Sequence, residues 1–226
     1  MRWLTATLFA VSLAAGLTAP PVQAEQPEQE QSLDAFIQSV EATYRDVESL
    51  GADFVQVTRS MAVGDGPEQK GTVLLARPQK MRWEFSGPEA RMFITDGSQM
   101  WVYSPNEKQV HVYKELGAGG TGMESLLSNL DQLDELFDVE ELDAEKNRDK
   151  NSVSLKLTPK KDANFKHLRL VVSKKKYLLE QVTIVDAFDN ETELSFSQVK
   201  LNVTPDEGQF TFVPPAGVQV ISPDGL

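Results

Sequence analysis

The chain has 226 residues, 34 acidic against 22 basic, a formal net charge of −12 and no cysteine. Without cysteine there is no disulfide framework, no thiolate metal site and no thiol for lipid attachment; the acidic balance disfavours nucleic acid and anionic membrane surfaces as direct partners. The length suits a single domain whose core is large enough to fold without staples.

Residues 1–24 read as a secretory signal peptide. Arg2 precedes an uncharged apolar run from Trp3 to Leu17, and Pro20-Pro21 lead to a small-residue cleavage site at Val22-Gln23-Ala24. The run is short for a bilayer span, so the expected mature chain starts at Glu25, with 21 basic against 34 acidic residues and a net charge of −13. Residues 25–31 are a polar Glu/Gln leader, disordered by composition, and residues 32–226 form the expected single domain, a monomer.

Ser32 is the expected N-cap of a helix of about four turns. Leu33, Phe36, Ile37, Val40, Tyr44 and Val47 follow at three-and-four spacing, and Gly51 ends it. The period then changes to two. Phe54 and Gln56 share a face of the first strand, and Gly64-Asp65-Gly66-Pro67 turns the chain back. From Val73 to Tyr103 the pattern predicts an antiparallel meander with one apolar face: Val73 and Leu75, then Met81, Trp83 and Phe85, then Trp101 and Tyr103 alternating with Met100 and Val102. Breaks fall at Arg77-Pro78-Gln79-Lys80, Ser86-Gly87-Pro88-Glu89 and Asp96-Gly97. Arg77 stands where the alternation calls for an apolar residue, as a strand-end charge reaching for water or as a working part. Arg82 and Glu84 point away from Trp83 and read as outer-face charges.

After a strand over 108–114, Thr121-x-x-Glu124 is a capping box. Met123, Leu126, Leu127, Leu130, Leu133, Leu136 and Phe137 form the apolar stripe of a second, acidic helix. Further strands follow at Val153-Leu155-Leu157, Leu168-Leu170-Val172, 178–186 and 192–201. In the last of these the parity changes between Phe196 and Val199, which predicts a bulge or bend. About ten strands with two helical interruptions exclude a parallel α/β pattern. A strongly curved antiparallel sheet or open barrel, with the amphipathic helices on its concave face, is the expected fold.

No constellation supports catalysis. Gly117-x-Gly119-x-x-Gly122 formally matches a dinucleotide fingerprint but lacks βαβ units around it and serves better as a hinge. His111 and His167 are the only histidines, neither at ligand spacing, so no metal or cofactor is expected. Gly-x-Ser-x-Gly is absent. Asp134-Glu135 and Glu140-Glu141 read as solvated acids, and Lys174-Lys175-Lys176 as a hairpin turn. What remains is apolar surface, either a closed core or a cavity; the residues alone leave this open.

Several motifs in order point to a family. Phe54-x-Gln56, Gly71, Leu74-x-x-Arg77-Pro78, Arg82-Trp83-Glu84, Asp96-Gly97-x-x-x-Trp101-x-Tyr103-x-Pro105, Gln109-Val110 and Phe210-x-Phe212-x-Pro214-Pro215-x-Gly217-Val218 together resemble the LolA-type periplasmic carriers of outer-membrane lipoproteins. The likeness runs from about Leu33 to Val220. It implies an α+β fold, mainly β: an incomplete antiparallel barrel of about ten or eleven strands, with helices as a lid over a hydrophobic cavity. It implies no enzyme but a chaperone that takes acylated lipoproteins from an inner-membrane ABC-type release complex to an outer-membrane receptor. Phe54, Val73, Leu75, Met81, Trp83, Phe85, Trp101, Tyr103, Leu126, Leu127 and Leu130 would line the cavity. Arg77 would be the latch that holds the lid by hydrogen bonds in the ligand-free form. Met81 departs from members that carry an aromatic there, though a thioether also suits a lipid site. A lipid- or lipoprotein-sensing module on the same half-barrel is the alternative; the lipidated receptor is disfavoured by the missing cysteine.

Overall fold

Turn chemistry and two-residue alternation put most of the chain into one sheet. The structure, a computed structural model, describes residues 31–114, 129–142 and 150–222, and residues 32–226 belong to one compact unit. The strands are β1 (Ser49–Ser60), β2 (Gly64–Asp65), β3 (Gln69–Ala76), β4 (Lys80–Ser86), β5 (Arg91–Thr95), β6 (Met100–Ser104) and β7 (Gln109–Tyr113), then β8 (Phe137–Glu141), β9 (Ser152–Pro159), β10 (His167–Ser173), β11 (Leu179–Val185), β12 (Glu191–Leu201) and β13 (Gln219–Ile221). Two α-helices accompany them among the described residues, α1 (Leu33–Arg45) and α2 (Leu133–Leu136), with a 3₁₀ turn over Glu207–Phe210.

The strand order is β13-β7-β6-β5-β4-β3-β1-β12-β11-β10-β9-β8, with β2 paired to β1 alone. Neighbours are antiparallel except β13, which lies parallel to β7. Among the described residues the two outermost strands pair on one side only, so the sheet stays open. Among the described residues there are thirteen strands; β2 and β13, two and three residues long, are held by neighbours rather than marked by their own periodicity.

The sheet is not flat. Phe93 on β5 and Ile184 on β11 are five strands apart, roughly 24 Å along a flat sheet, yet they line the same cleft. One inner cluster likewise unites Val73, Trp83 and Phe85 with Leu155, Leu170 and Val182 from the other half of the sheet. The bulge foreseen in β12 is present: Gly51 pairs with Lys200 but Asp53 with Ser197, and Gln198 takes a left-handed φ of 52°.

Helix α1 is capped as expected, Ser32 Oγ accepting from the Ala35 N–H at 3.3 Å. It ends earlier than its apolar spacing suggests. Asp46 is the C-cap and Ser49 already belongs to β1, so Val47 lies beyond the helix and Gly51 inside a strand. The cross-strand ladder to Ala76 and Leu201 claims these residues first. The buried stripe of Phe36, Ile37, Val40 and Tyr44 packs on the concave face. The second helical region is corrected at its end: α2 stops at Leu136, and Phe137 opens β8 opposite Pro159. Its capping box, Leu126 and Leu127, like the Gly117-x-Gly119-x-x-Gly122 run and residues 1–24, lie outside the described residues.

Two glycines are dictated by geometry. At Gly71 an added Cβ would stand 1.8 Å from Glu84 O and 2.7 Å from Phe54 Cζ, so the Phe54 ring can cover this strand only where no side chain exists. Gly97 has a φ of 96° in the β5–β6 turn. There Asp96 Oδ1 accepts from the N–H groups of Ser98 and Gln99 at 2.8 and 3.0 Å. Desolvation would raise the Asp96 carboxyl, but these bonds and the Ser98 hydroxyl hold it below the usual carboxylate range.

Candidate binding face

The inner face follows from register, since directly paired residues share a side of the sheet. Leu75 pairs with Met81, Val73 with Trp83 and Gly71 with Phe85, while β1 sets Ala52 against Val73 and Phe54 against Gly71. Phe54, Val73, Leu75, Met81, Trp83, Phe85 and Leu130 therefore meet in one buried cluster with α1. Its spine is aromatic: Phe54 lies 4.9 Å from both Trp83 and Phe85, and Phe85 6.0 Å from Phe93. Such tilted and edge contacts add to area burial.

Trp101 and Tyr103 are elsewhere. Trp101 pairs with Ile94 and Tyr103 with Met92, which pair with Arg82 and Glu84, so both aromatics stand on the outer face. They pack with Ile94 and Val110 under Phe212 and Val218, Tyr103 and Phe212 having ring centres 4.8 Å apart. The returning C-terminal segment covers this side. The Met100–Tyr103 run is apolar on both faces, the signature of a strand covered twice. Met100 and Val102 are its inward residues. Arg82 and Glu84 form an outer-face ion pair, and Arg82 Nη1 also donates to Gln209 O at 3.1 Å.

The inner face has two unlike ends. At one, Arg77 follows the last residue of β3, outside the strand. Its Nη1 donates to Asp131 Oδ2 at 3.3 Å and its Nη2 to Tyr44 O at 3.4 Å. Asp131 Oδ1 lies 3.1 Å from Nη2 yet is not aligned for a hydrogen bond. Arg77 thus joins the end of α1 to the segment that leads into α2. Three further ties, not read from the sequence, secure this end. Buried Glu41 accepts from the Asp134 N–H at 3.0 Å, supplying α2 with a cap that its own Gln132 does not make. The Tyr44 hydroxyl accepts from Leu179 N–H at 2.9 Å, and burial, partly offset by that bond, pushes the phenol up to about 12. Arg77 N–H donates to Glu48 O at 2.8 Å. The remaining crevice holds about 30 Å³, room for no more than a few waters.

At the other end, roughly 20 Å away along six residues of β3, a cleft of about 270 Å³ opens between Trp83, Phe85, Phe93, Ile184 and Leu194, with Arg91 among its walls. Arg91 Nη2 donates to Gln69 Oε1 at 3.0 Å, and the guanidinium carbon sits 4.3 Å from the Phe85 ring centre. Arg91 and Phe93 share the inward parity of β5; that parity is the sequence signal that marks them.

The fold is thus a half-open, mainly antiparallel sheet wound round an apolar interior that an amphipathic helix occupies. The chain belongs to the LolA family: the family described as "Outer membrane lipoprotein carrier protein LolA" matches residues 45–213. It is 31% identical over 224 residues to the outer-membrane lipoprotein carrier protein of Chromobacterium violaceum, covering 99% of this chain and all of that one. It is 30% identical over 219 residues to the protein of the same description in Nitrosomonas europaea, covering 96% and 99%. Among solved structures, an uncharacterized conserved protein from Thermus thermophilus superposes with a TM-score of 0.53 over 85% of this chain and 99% of that one. At 14% identity this is a likeness of fold alone.

Proposed function

We propose that this chain is a periplasmic chaperone that carries acylated lipoproteins toward the outer membrane and is not an enzyme. Family membership over residues 45–213 is the observation that carries the reading; it gives no support to the lipid-sensing alternative. The chain would be exported with removal of residues 1–24, take cargo from an inner-membrane ABC-type release complex, and pass it to an outer-membrane receptor.

The need for a carrier is quantitative. An acyl chain of about 14 methylenes at about 0.8 kcal/mol each exposes on the order of 11 kcal/mol of hydrophobic free energy to water. The inner face offers matching surface: Phe54, Val73, Leu75, Met81, Trp83 and Phe85 on the sheet, Leu130 from the segment before α2, and α1 packed over them, which in this reading is the lid. In this reading the cavity is the space that lid now fills, together with the 270 Å³ cleft beside it.

Magnitudes divide the work of the lid. The Arg77–Asp131 pair is partly exposed, its side chains 35% and 12% accessible, and is worth at most about 1 kcal/mol. Lifting Phe36, Ile37, Val40 and Tyr44 off the sheet costs about 1.5–3 kcal/mol each, or on the order of 6–12 kcal/mol as an upper bound. The apolar stripe therefore supplies the force that opposes loading, and Arg77 sets which geometry counts as closed. Cargo burial is set against lid opening, so net affinity falls far enough to permit release. The test is to incubate the mature protein with spheroplasts containing an active release complex. Lipoproteins should appear in the soluble fraction bound to the protein, and recovery of none rejects the reading.

A further inference from the structure

We propose that the cleft at the Arg91 end is a subsite for the polar head of an acyl chain, where Arg91 and Trp83 donate to an ester or carboxylate oxygen while the hydrocarbon runs inward along Phe85 and Phe93. The inference rests on the carrier reading above and assigns the ligand a direction within the inner face.

The cleft walls are apolar at Phe85, Phe93, Ile184 and Leu194, which suits hydrocarbon. Two of its residues nevertheless carry buried N–H groups without an acceptor, Trp83 Nε1 and Arg91 Nε. Buried donors are normally satisfied. Indole and guanidinium groups can only donate, so the missing partner is an oxygen acceptor and not a second donor. Arg91 is already held in place. Its Nη2 is fixed on Gln69 Oε1, and Gln69 is itself held by donating to Glu89 Oε2 at 2.6 Å and accepting from Gln56 Nε2 at 3.4 Å. The Phe85 ring supports the guanidinium face at 4.3 Å. Among the described residues no carboxylate lies within ion-pair distance of Arg91, whereas Arg77 at the other end has Asp131.

The head group is also bounded in charge. Asp186 lines the same cleft, and hydrogen bonds from the Asn190 side chain, and from Asn190 and Phe188 N–H, hold it ionised. A multiply charged phosphate would be repelled there more strongly than a single carboxylate, and a neutral ester would not be repelled. Such an oxygen sits at the head of every fatty acyl chain, in an acylated polypeptide as an ester or amide carbonyl and in a free fatty acid as a carboxylate.

Three probes separate these sources: a synthetic lipopeptide bearing an S-diacylglyceryl cysteine, its dialkyl ether counterpart without carbonyls, and palmitate, each titrated calorimetrically into the mature protein. Arg91→Leu should weaken the ester lipopeptide about tenfold and leave the ether analogue unchanged. Arg91→Lys, which keeps a cationic donor, should recover part of the loss. If palmitate rather than the lipopeptide shows the Arg91 dependence, the acceptor is a carboxylate. Equal losses for ester and ether, no loss, or a lysine variant as poor as the leucine one would overturn the subsite. Wild-type protein that binds none of the three lipids would overturn the carrier reading itself.

Discussion

The two ends of the inner face share β1 and β4 and differ in what closes them. At the Arg77 end, α1, the Asp131 segment and α2 are tied together by Arg77, Glu41 and Tyr44, leaving a crevice of about 30 Å³. At the Arg91 end the aromatic spine runs out into a cleft of about 270 Å³ whose arginine has no acidic partner among the described residues. At the first end the apolar stripe of α1 fills the inner face and non-local hydrogen bonds fix its position; the second end is open where the helix does not reach.

The most severe way to break the contrast is to remove the wall between the ends. Phe54 is 2% exposed and touches both Trp83 and Phe85; Phe54→Ala should cost about 3–5 kcal/mol in urea unfolding and enlarge the cleft toward α1. Gly71→Ala forces a Cβ against Glu84 O and the Phe54 ring and should cost about 1–3 kcal/mol, with the Phe54 ring displaced in a crystal structure. Glu41→Ala leaves the Asp134 N–H without its acceptor; a loss of about 1–3 kcal/mol and faster amide exchange confined to α2 should follow, while the Arg91 end keeps its protection. Arg77→Leu should change stability by no more than about 1 kcal/mol and leave lipoprotein uptake intact but impair hand-over to the receptor. Unimpaired hand-over would reject the latch.

The smallest effect is a pH dependence. The Tyr44 phenol is raised from 10.0 to about 12, so folding favours its neutral form. That contribution is fully present below about pH 10 and is lost as pH rises toward about 12. Tyr44→Phe should abolish this alkaline component of the stability profile.

Much of the sheet was legible because its signals are local. Asp96-Gly97 and Ser86-Gly87-Pro88-Glu89 mark turns by their own chemistry, and the parity of Met81, Trp83 and Phe85 is enough to place them together on one face. The facing of Trp101 and Tyr103 was not legible. Met100 to Tyr103 is apolar throughout, and only the return of Phe212 and Val218, more than a hundred residues later in the chain, decides which pair points outward. The ends of the helices failed for a similar reason: the β1 ladder takes Ser49 to Gly51, and β9 takes Phe137. Glu41 sits beside Val40 on the buried stripe of α1, yet its partner is a backbone N–H that no side-chain pattern reveals. Arg91 could have been found by extending the inward parity of Phe93 back two residues.

The most direct test of the inner face as cargo site is site-specific photo-crosslinking during lipoprotein release from spheroplasts. Phe93→p-benzoylphenylalanine faces the cleft, and Trp101→p-benzoylphenylalanine faces the C-terminal segment on the other side of the sheet. Crosslinks to released lipoproteins should form from position 93 and not from position 101; equal yields, or crosslinks from position 101 alone, would contradict a carrier that holds its cargo on the concave face.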